Sequence, residues 1–210
     1  MIIDGRITKG LEILDGKLHR PMPQNGALQM RALERLAEKG ADFAPKCYGT
    51  DEQGRLVLEF LPGNVPDNIG VFSDAQCVRG MELIRAFHDM TREMSLCHGD
   101  LSPCNFVFAD GMPKYIIDWD ACHVGDPLDD VAYALWLWLD AGDEDMDPAD
   151  FRRREKLLLD VYGANATGMK ERMVAEAARV ARSVFPTQEQ TLATKQWAEK
   201  CAAWITKHAL

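Results

Sequence analysis

His98-Gly99-Asp100-Leu101-Ser102-Pro103-Cys104-Asn105, followed by Ile116-Ile117-Asp118-Trp119-Asp120, is the stretch that decides the fold. Asp100 and Asn105 stand at the two ends of a loop that Pro103 keeps from becoming helix. Asn105 leads into a short apolar run at 106–108, Asp110-Gly111 marks a tight turn, and a second run at 115–117 returns to Asp118. A hairpin of that kind brings Asn105 and Asp118 side by side. Their oxygens form a hard-donor site suited to Mg2+, which keeps its other positions for water and phosphate. Asp100 is left free at the rim, where an acceptor hydroxyl would lie.

These are the parts that phosphoryl transfer needs. Its transition state is loose and heavily charged, so positioning and charge neutralisation dominate. Asp100 can orient a hydroxyl and take its proton late. The spacing H-x-D-x-x-x-x-N with a later strand-terminal Asp is the catalytic-loop pattern of kinases. Asp and Asn in a loop often only make turns. Here His-Gly before, Pro within, two strands, a turn and a final Asp all agree, which favours a nucleotide and metal site. His98 is expected to hold the loop backbone rather than shuttle protons.

Outward from that stretch, the chain has 210 residues, 47% of them apolar and 27% charged, enough for a real core and not a disordered composition. A net charge of −9 excludes the clustered Lys and Arg of a nucleic-acid surface and tolerates a cationic substrate. The opening MIIDGRITKG lacks the apolar run of a signal peptide, and no stretch is long and apolar enough to span a membrane, so a cytoplasmic protein is expected. Six scattered cysteines without CxxC pairs read as free thiols packed in the interior.

Short strands are expected at 2–7, 11–14, 17–20 and 55–60, with Asp15-Gly16 as a hairpin turn and one helix at 27–39. After a linker near 61–68, helices are expected from the Ser73 N-cap to about 90, then at 128–139, 151–162, 169–185 and 188–208. This gives a small β-rich lobe with one helix at 1–62 and a helical lobe at 63–210, with a cleft between them suited to a nucleotide. The acidic run 140–147 is most simply a solvated loop, with an amine-attracting rim as the alternative. Trp136 and Trp138 are two apart on a helix, so one is expected in the core and the other is open to a cation–π role.

HGDLSPCN and IIDWD resemble the catalytic loop and metal segment of the aminoglycoside phosphotransferase/choline kinase-like family. VLEFLPG at 57–63 resembles its interlobe hinge, GDPLDDVAYAL at 125–135 the helix after the metal site, and Ile84-Arg85-Ala86-Phe87-His88-Asp89 its Leu-His helix. The resemblance implies an α+β, protein kinase-like two-lobe fold with a reduced N-terminal β lobe. By position it makes Asp100 the catalytic base and Asn105 and Asp118 the metal ligands. The backbone of Glu59 and Leu61 would hold a purine base, Asp120 would face substrate or metal, and Asp130 would brace the loop. Asp126 with Pro127 also reads, on its own chemistry, as an N-cap.

The N-terminal lobe departs from that pattern. Gly5, Lys9 and Gly10 are candidates for a shortened phosphate loop, at even odds with a plain turn. Arg20 stands in for the strand cation, with Lys17 or His19 as alternatives, and Gln29 falls where the partner Glu belongs, so an Arg20–Gln29 hydrogen bond is expected. The implied reaction moves the γ-phosphate of ATP or GTP, with Mg2+, to a hydroxyl of a small molecule, an amine-bearing aminoglycoside or choline-like alcohol among the options. The alternative is a nucleotide-binding pseudokinase acting through a protein partner. No nucleic acid or membrane partner is expected, and these residues leave the acceptor, the base and the oligomeric state open.

Overall fold

The computed structural model describes residues 2–3, 10–142 and 145–210, with side chains from residue 10 onward. Strands β1 (Ile2–Ile3), β2 (Leu11–Leu14), β3 (Lys17–Arg20), β4 (Cys47–Thr50) and β5 (Leu56–Glu59) form a five-stranded antiparallel sheet in the order β1-β2-β3-β5-β4. Asp15 and Gly16 both have positive φ, the backbone of the tight hairpin that joins β2 to β3. Helix α1 (Gly26–Glu38) lies between β3 and β4 in sequence and buries Ala32, Leu33 and Leu36. β4 was not expected from the sequence. Its CYGT segment sits at the sheet edge and alternates between half-buried and exposed positions, too weak a pattern to register as a strand. The remainder of the strand expected at 2–7, with Gly5 and Lys9, lies outside the described residues.

The chain leaves β5 and docks its linker on the second lobe: Asn64 and Phe108 exchange backbone hydrogen bonds of 3.0 and 2.7 Å. Gly63 permits this approach, since a Cβ there would stand 2.6 Å from the Phe108 carbonyl oxygen. Helix α2 (Asp74–Met90) starts at Ser73 in a full capping box with Gln76, which satisfies two backbone donors at once. Two small antiparallel ladders follow. β6 (Leu96–Cys97) pairs with β9 (His123–Val124), and β7 (Phe106–Ala109) with β8 (Met112–Ile116) across Asp110-Gly111.

Helices α3 (Pro127–Trp138), α4 (Pro148–Tyr162), α5 (Met169–Ala181) and α6 (Gln188–His208) complete the helical lobe. α3 is apolar on all sides and buried from Asp130 to Trp138, so it is the central helix, with α5 laid along it and α6 along α5. Both Trp136 and Trp138 are therefore core residues, against the expectation for one of them. Trp136 stacks on Trp197 at 5.0 Å, and Trp138 packs against Phe72, Phe106 and Phe108. α5 ends four residues before the expected 185, because Pro186 pushes its predecessor out of helical geometry. Within the acidic segment 140–147, Asp147 caps α4 by accepting from the Ala149 N–H at 3.0 Å.

Candidate active site

The loop 98–105 is fixed before any side chain reaches out of it. β6 delivers the chain to His98, and its ladder with β9 sets the loop beside 118–122. Gly99, at φ +81°, lies so close to Ala121 that a Cβ would stand 2.5 Å from the Ala121 carbonyl oxygen. Asp130, 2% exposed on α3, accepts the His98 N–H at 2.6 Å and the Gly99 N–H at 2.8 Å. His88 of α2 adds a third contact to that carboxylate at 3.1 Å and meets the Tyr162 hydroxyl at 2.9 Å. Burial pushes Asp130 up, yet the hydrogen bond and charge of His88, the nearby His98 and the Gly99 N–H together hold its carboxyl below the usual carboxylate range.

His98 is fully buried against Trp119, with its Nε2 3.1 Å from the Ile117 carbonyl and its Nδ1 3.4 Å from the Asp100 N–H. Those partners assign a neutral imidazole that donates from Nε2 and accepts at Nδ1. Burial lowers the His98 pKa, and the carboxylates of Asp130, Asp100 and Asp118 offset that only in part.

Pro103–Asn105 forms one 3₁₀ turn, and Asn105 donates from Nδ2 to the Asp100 carbonyl at 2.9 Å. Its own carbonyl accepts the Ile117 N–H at 2.9 Å, so the hairpin puts Asn105 opposite the residue that precedes Asp118. Asp118 occupies the left-handed region at φ 61°, which a short polar side chain tolerates better than most. With the Asn105 amide nitrogen committed to the loop, its oxygen and the half-exposed Asp118 carboxylate are the hard donors on this side of the cleft. No group of three or more His, Cys, Asp or Glu able to hold a metal exists among the described residues. An Asn–Asp pair that leaves most positions to water and phosphate is nevertheless what Mg2+ takes, so the donor set fits that ion.

Two expectations need correction. Asp100 is not free at the rim: the Tyr133 hydroxyl donates to its Oδ1 at 2.8 Å, because α3 runs directly behind the loop. The Arg20–Gln29 hydrogen bond is not formed. Arg20, 5% exposed on β3, crosses the cleft to Asp118 at 3.2 Å and to Asp120, while both amide atoms of the fully buried Gln29 have no partner. Two carboxylates draw a guanidinium more strongly than a neutral amide does. Burial pushes the Asp120 carboxyl up; Arg20 opposes that shift and Asp118 adds to it.

The other sequence candidates fall as follows. Asp126 caps α3 by accepting the Leu128 N–H at 3.0 Å and pairs with Arg172 at 2.7 Å. The Glu59 N–H is used by the Lys46 carbonyl at 2.8 Å, and its carboxylate accepts from the Lys46 N–H at 3.2 Å. The Leu61 N–H makes no backbone hydrogen bond among the described residues. Gly10 is exposed at φ +78°, with no side chain to contribute. Tyr133 was missed, although it stands three residues after Asp130 and therefore shares its helix face. Arg179 was missed as well, and no local signal marks it; it donates to the Gly99 carbonyl at 3.1 Å and lies over the Tyr133 ring at 5.2 Å.

Residues 75–164 match the model of a phosphotransferase enzyme family, and that segment contains Asp100, Asn105, Asp118 and Asp130. The trifolitoxin immunity protein of Rhizobium leguminosarum bv. trifolii is 26% identical over 219 residues, covering 84% of this chain and 83% of that protein. In the ADP-bound aminoglycoside phosphotransferase APH(2'')-Ib, the match covers 94% of this chain and 95% of that one at 12% identity, with a TM-score of 0.52. The macrolide 2'-phosphotransferase MphH of Brachybacterium faecium matches over 90% of this chain and 83% of its own at 14% identity, with a TM-score of 0.49. The first of these solved structures gives the fold: a kinase-like α+β arrangement with a reduced β lobe. By the motifs inside the matched segment and the fold that presents them, the chain belongs to the phosphotransferase enzyme family.

Proposed function

We propose that this chain transfers the γ-phosphoryl group of ATP or GTP to a hydroxyl of a small molecule, with Asp100 taking the hydroxyl proton. The observation that carries this reading is the placement of Asp100, Asn105 and Asp118 around one hairpin and one loop, with Arg20 reaching them from the opposite lobe. Asn105 and Asp118 would hold Mg2+, which supplies charge neutralisation on the phosphates when bound. Asp100 orients the acceptor hydroxyl. The acceptor oxygen forms its bond to phosphorus as the bond to the β,γ-bridging oxygen breaks, and the proton passes to the Asp100 carboxylate as the nucleoside diphosphate leaves. Arg20 supplies the cation for the phosphates, and the Glu59 and Leu61 backbone faces the base.

The relative named for immunity to trifolitoxin supports a toxin as the acceptor, one whose activity is lost on phosphorylation. Replacing Asp100 by Asn should leave nucleotide binding nearly intact and lower kcat by orders of magnitude, since base and positioning go together. Unchanged turnover in that variant, read by nucleoside diphosphate release over a panel of toxins, aminoglycosides, choline and sugars, refutes the assignment.

One observation favours a second reading, a nucleotide-binding pseudokinase that protects by binding a protein partner. Gln29 replaces the acid that would hold the strand cation, and its amide has no partner. Nucleotide binding by the wild-type chain without turnover across the whole panel would select it.

A further inference from the structure

Asp100 is held from a side that the phosphotransfer motifs do not single out. α3 anchors the loop backbone through Asp130, and one turn later the same helix presents the Tyr133 hydroxyl to Asp100 Oδ1 at 2.8 Å. Tyr133 is 8% exposed, so its ring has little freedom to leave. Arg179 of α5 closes the far face: its guanidinium lies 5.2 Å over the ring, donates to the Gly99 carbonyl at 3.1 Å, and is held by Glu176 at 2.7 Å. Burial, and then the adjacent Asp100 carboxylate, push the Tyr133 phenol well above its ordinary pKa, which keeps the hydroxyl a donor.

A short carboxylate side chain rotates readily about its last torsion, which has a broad two-fold profile. A hydrogen bond from a buried donor removes that freedom. We infer that Tyr133, backed by Arg179, is the positioning residue for Asp100: its hydroxyl fixes Oδ1 and so directs Oδ2 at the acceptor hydroxyl. This rests on the reading of Asp100 as proton acceptor. It adds a residue outside the loop to the working site, and it makes α5 part of that site through Arg179. Misplacement of a reacting group by a fraction of a bond length is costly to turnover but not to nucleotide binding.

The test uses the full chain with MgATP or MgGTP, the acceptor panel above, and water as the background acceptor. Tyr133→Phe deletes the hydroxyl and keeps the ring under Arg179. It should lower kcat by about tenfold, the scale of a lost hydrogen bond to a charged group, with KM for nucleotide and Tm unchanged. A kcat within twofold of wild type overturns the inference, as does a loss in which KM and Tm move together with kcat. Should Tyr133→Phe fail to fold, Arg179→Met decides, because Arg179 is half-exposed and little of the core depends on it. A fall of several-fold in kcat at constant KM, largely restored by Arg179→Lys, supports the assignment; no fall overturns it. A wild-type chain that binds nucleotide but turns over no acceptor removes the phosphotransfer reading itself, and the positioning role with it.

Discussion

Removal of the Asp130 carboxylate should be the most damaging single change outside the reacting groups. The carboxylate accepts from two backbone N–H groups, His98 at 2.6 Å and Gly99 at 2.8 Å, and meets His88 Nε2 at 3.1 Å, all in a site 2% exposed. In Asp130→Ala two buried N–H groups lose their acceptor, at about 1–3 kcal/mol each. A buried ion pair broken on one side costs about 3–5 kcal/mol, so the two routes agree on about 3–5 kcal/mol. For a chain of this length that is a fall in Tm of roughly 6–20 °C. Asp130→Asn keeps the volume but sets an NH2 against one of the three donors, and should cost about 2–3 kcal/mol. His88→Ala leaves both backbone bonds in place and should cost less than either. Because the folded carboxyl lies below its ordinary range, its contribution is complete above the unfolded value near pH 3.9 and is lost as pH falls through the folded one. The gap between wild type and Asp130→Asn should therefore hold constant from pH 8 to about 5. Urea unfolding followed by circular dichroism and tryptophan fluorescence measures each term. An Asp130→Asn cost below about 1 kcal/mol, or a His88→Ala cost equal to that of Asp130→Ala, refutes the account of Asp130 as the anchor of the loop backbone.

Two further outcomes follow from the same loop. His98 has a pKa lowered by burial, so the unfolded chain takes up a proton that the folded loop rejects; stability should be full above about pH 6.5 and fall below it by up to about 1.4 kcal/mol per unit. His98→Asn should remove that slope between pH 7 and 5.5, and an unaltered slope places the titration elsewhere. Gly99→Ala should cost more than about 2 kcal/mol, since it adds a clash with the Ala121 carbonyl to an unfavourable φ. Gly16→Ala, at a similar φ with open space around it, should cost only about 1–2 kcal/mol, and equal losses in the two would show that the close approach carries no weight.

The helical lobe was legible because its signals are local. Ser73 with Gln76, Asp126 with Pro127 and Asp147 with Pro148 each place a cap and a compatible first residue within four positions, and the structure starts α2, α3 and α4 there. The hairpin from Asn105 to Asp118 was legible for the same reason: a turn pair between two apolar runs defines its own register. β4 and the β6–β9 ladder were not, because two- and four-residue strands owe their pairing to partners far along the chain. Trp136 and Trp138 show the same limit from the packing side. Spacing on a helix says which way two rings point, but both are buried because α2, α5 and α6 surround α3, and a helix enclosed on all sides has no solvent face to assign.

The site itself divides along that line. Asp100, Asn105 and Asp118 lie within one local unit, so their types and spacing suffice to nominate them. What holds them comes from elsewhere: Arg20 from ninety-eight residues before Asp118, Tyr133 from thirty-three residues after Asp100, Arg179 from eighty residues after Gly99. Arg20 could be nominated by its strand position, but not its partner. A pairing with Gln29 follows from a motif in which an acid occupies that place; once the acid is an amide, the guanidinium goes to the nearest negative charge, which is the pair Asp118 and Asp120 across the cleft. The replacement of one carboxylate on α1 thus changes the electrostatics of the metal side of the site, with no change in the residues that compose it. A motif fixes which groups are present, whereas the charges facing them fix what those groups hold before substrate arrives. In this chain the second question is settled by β3, α1 and α5, where the sequence carries its weakest signals.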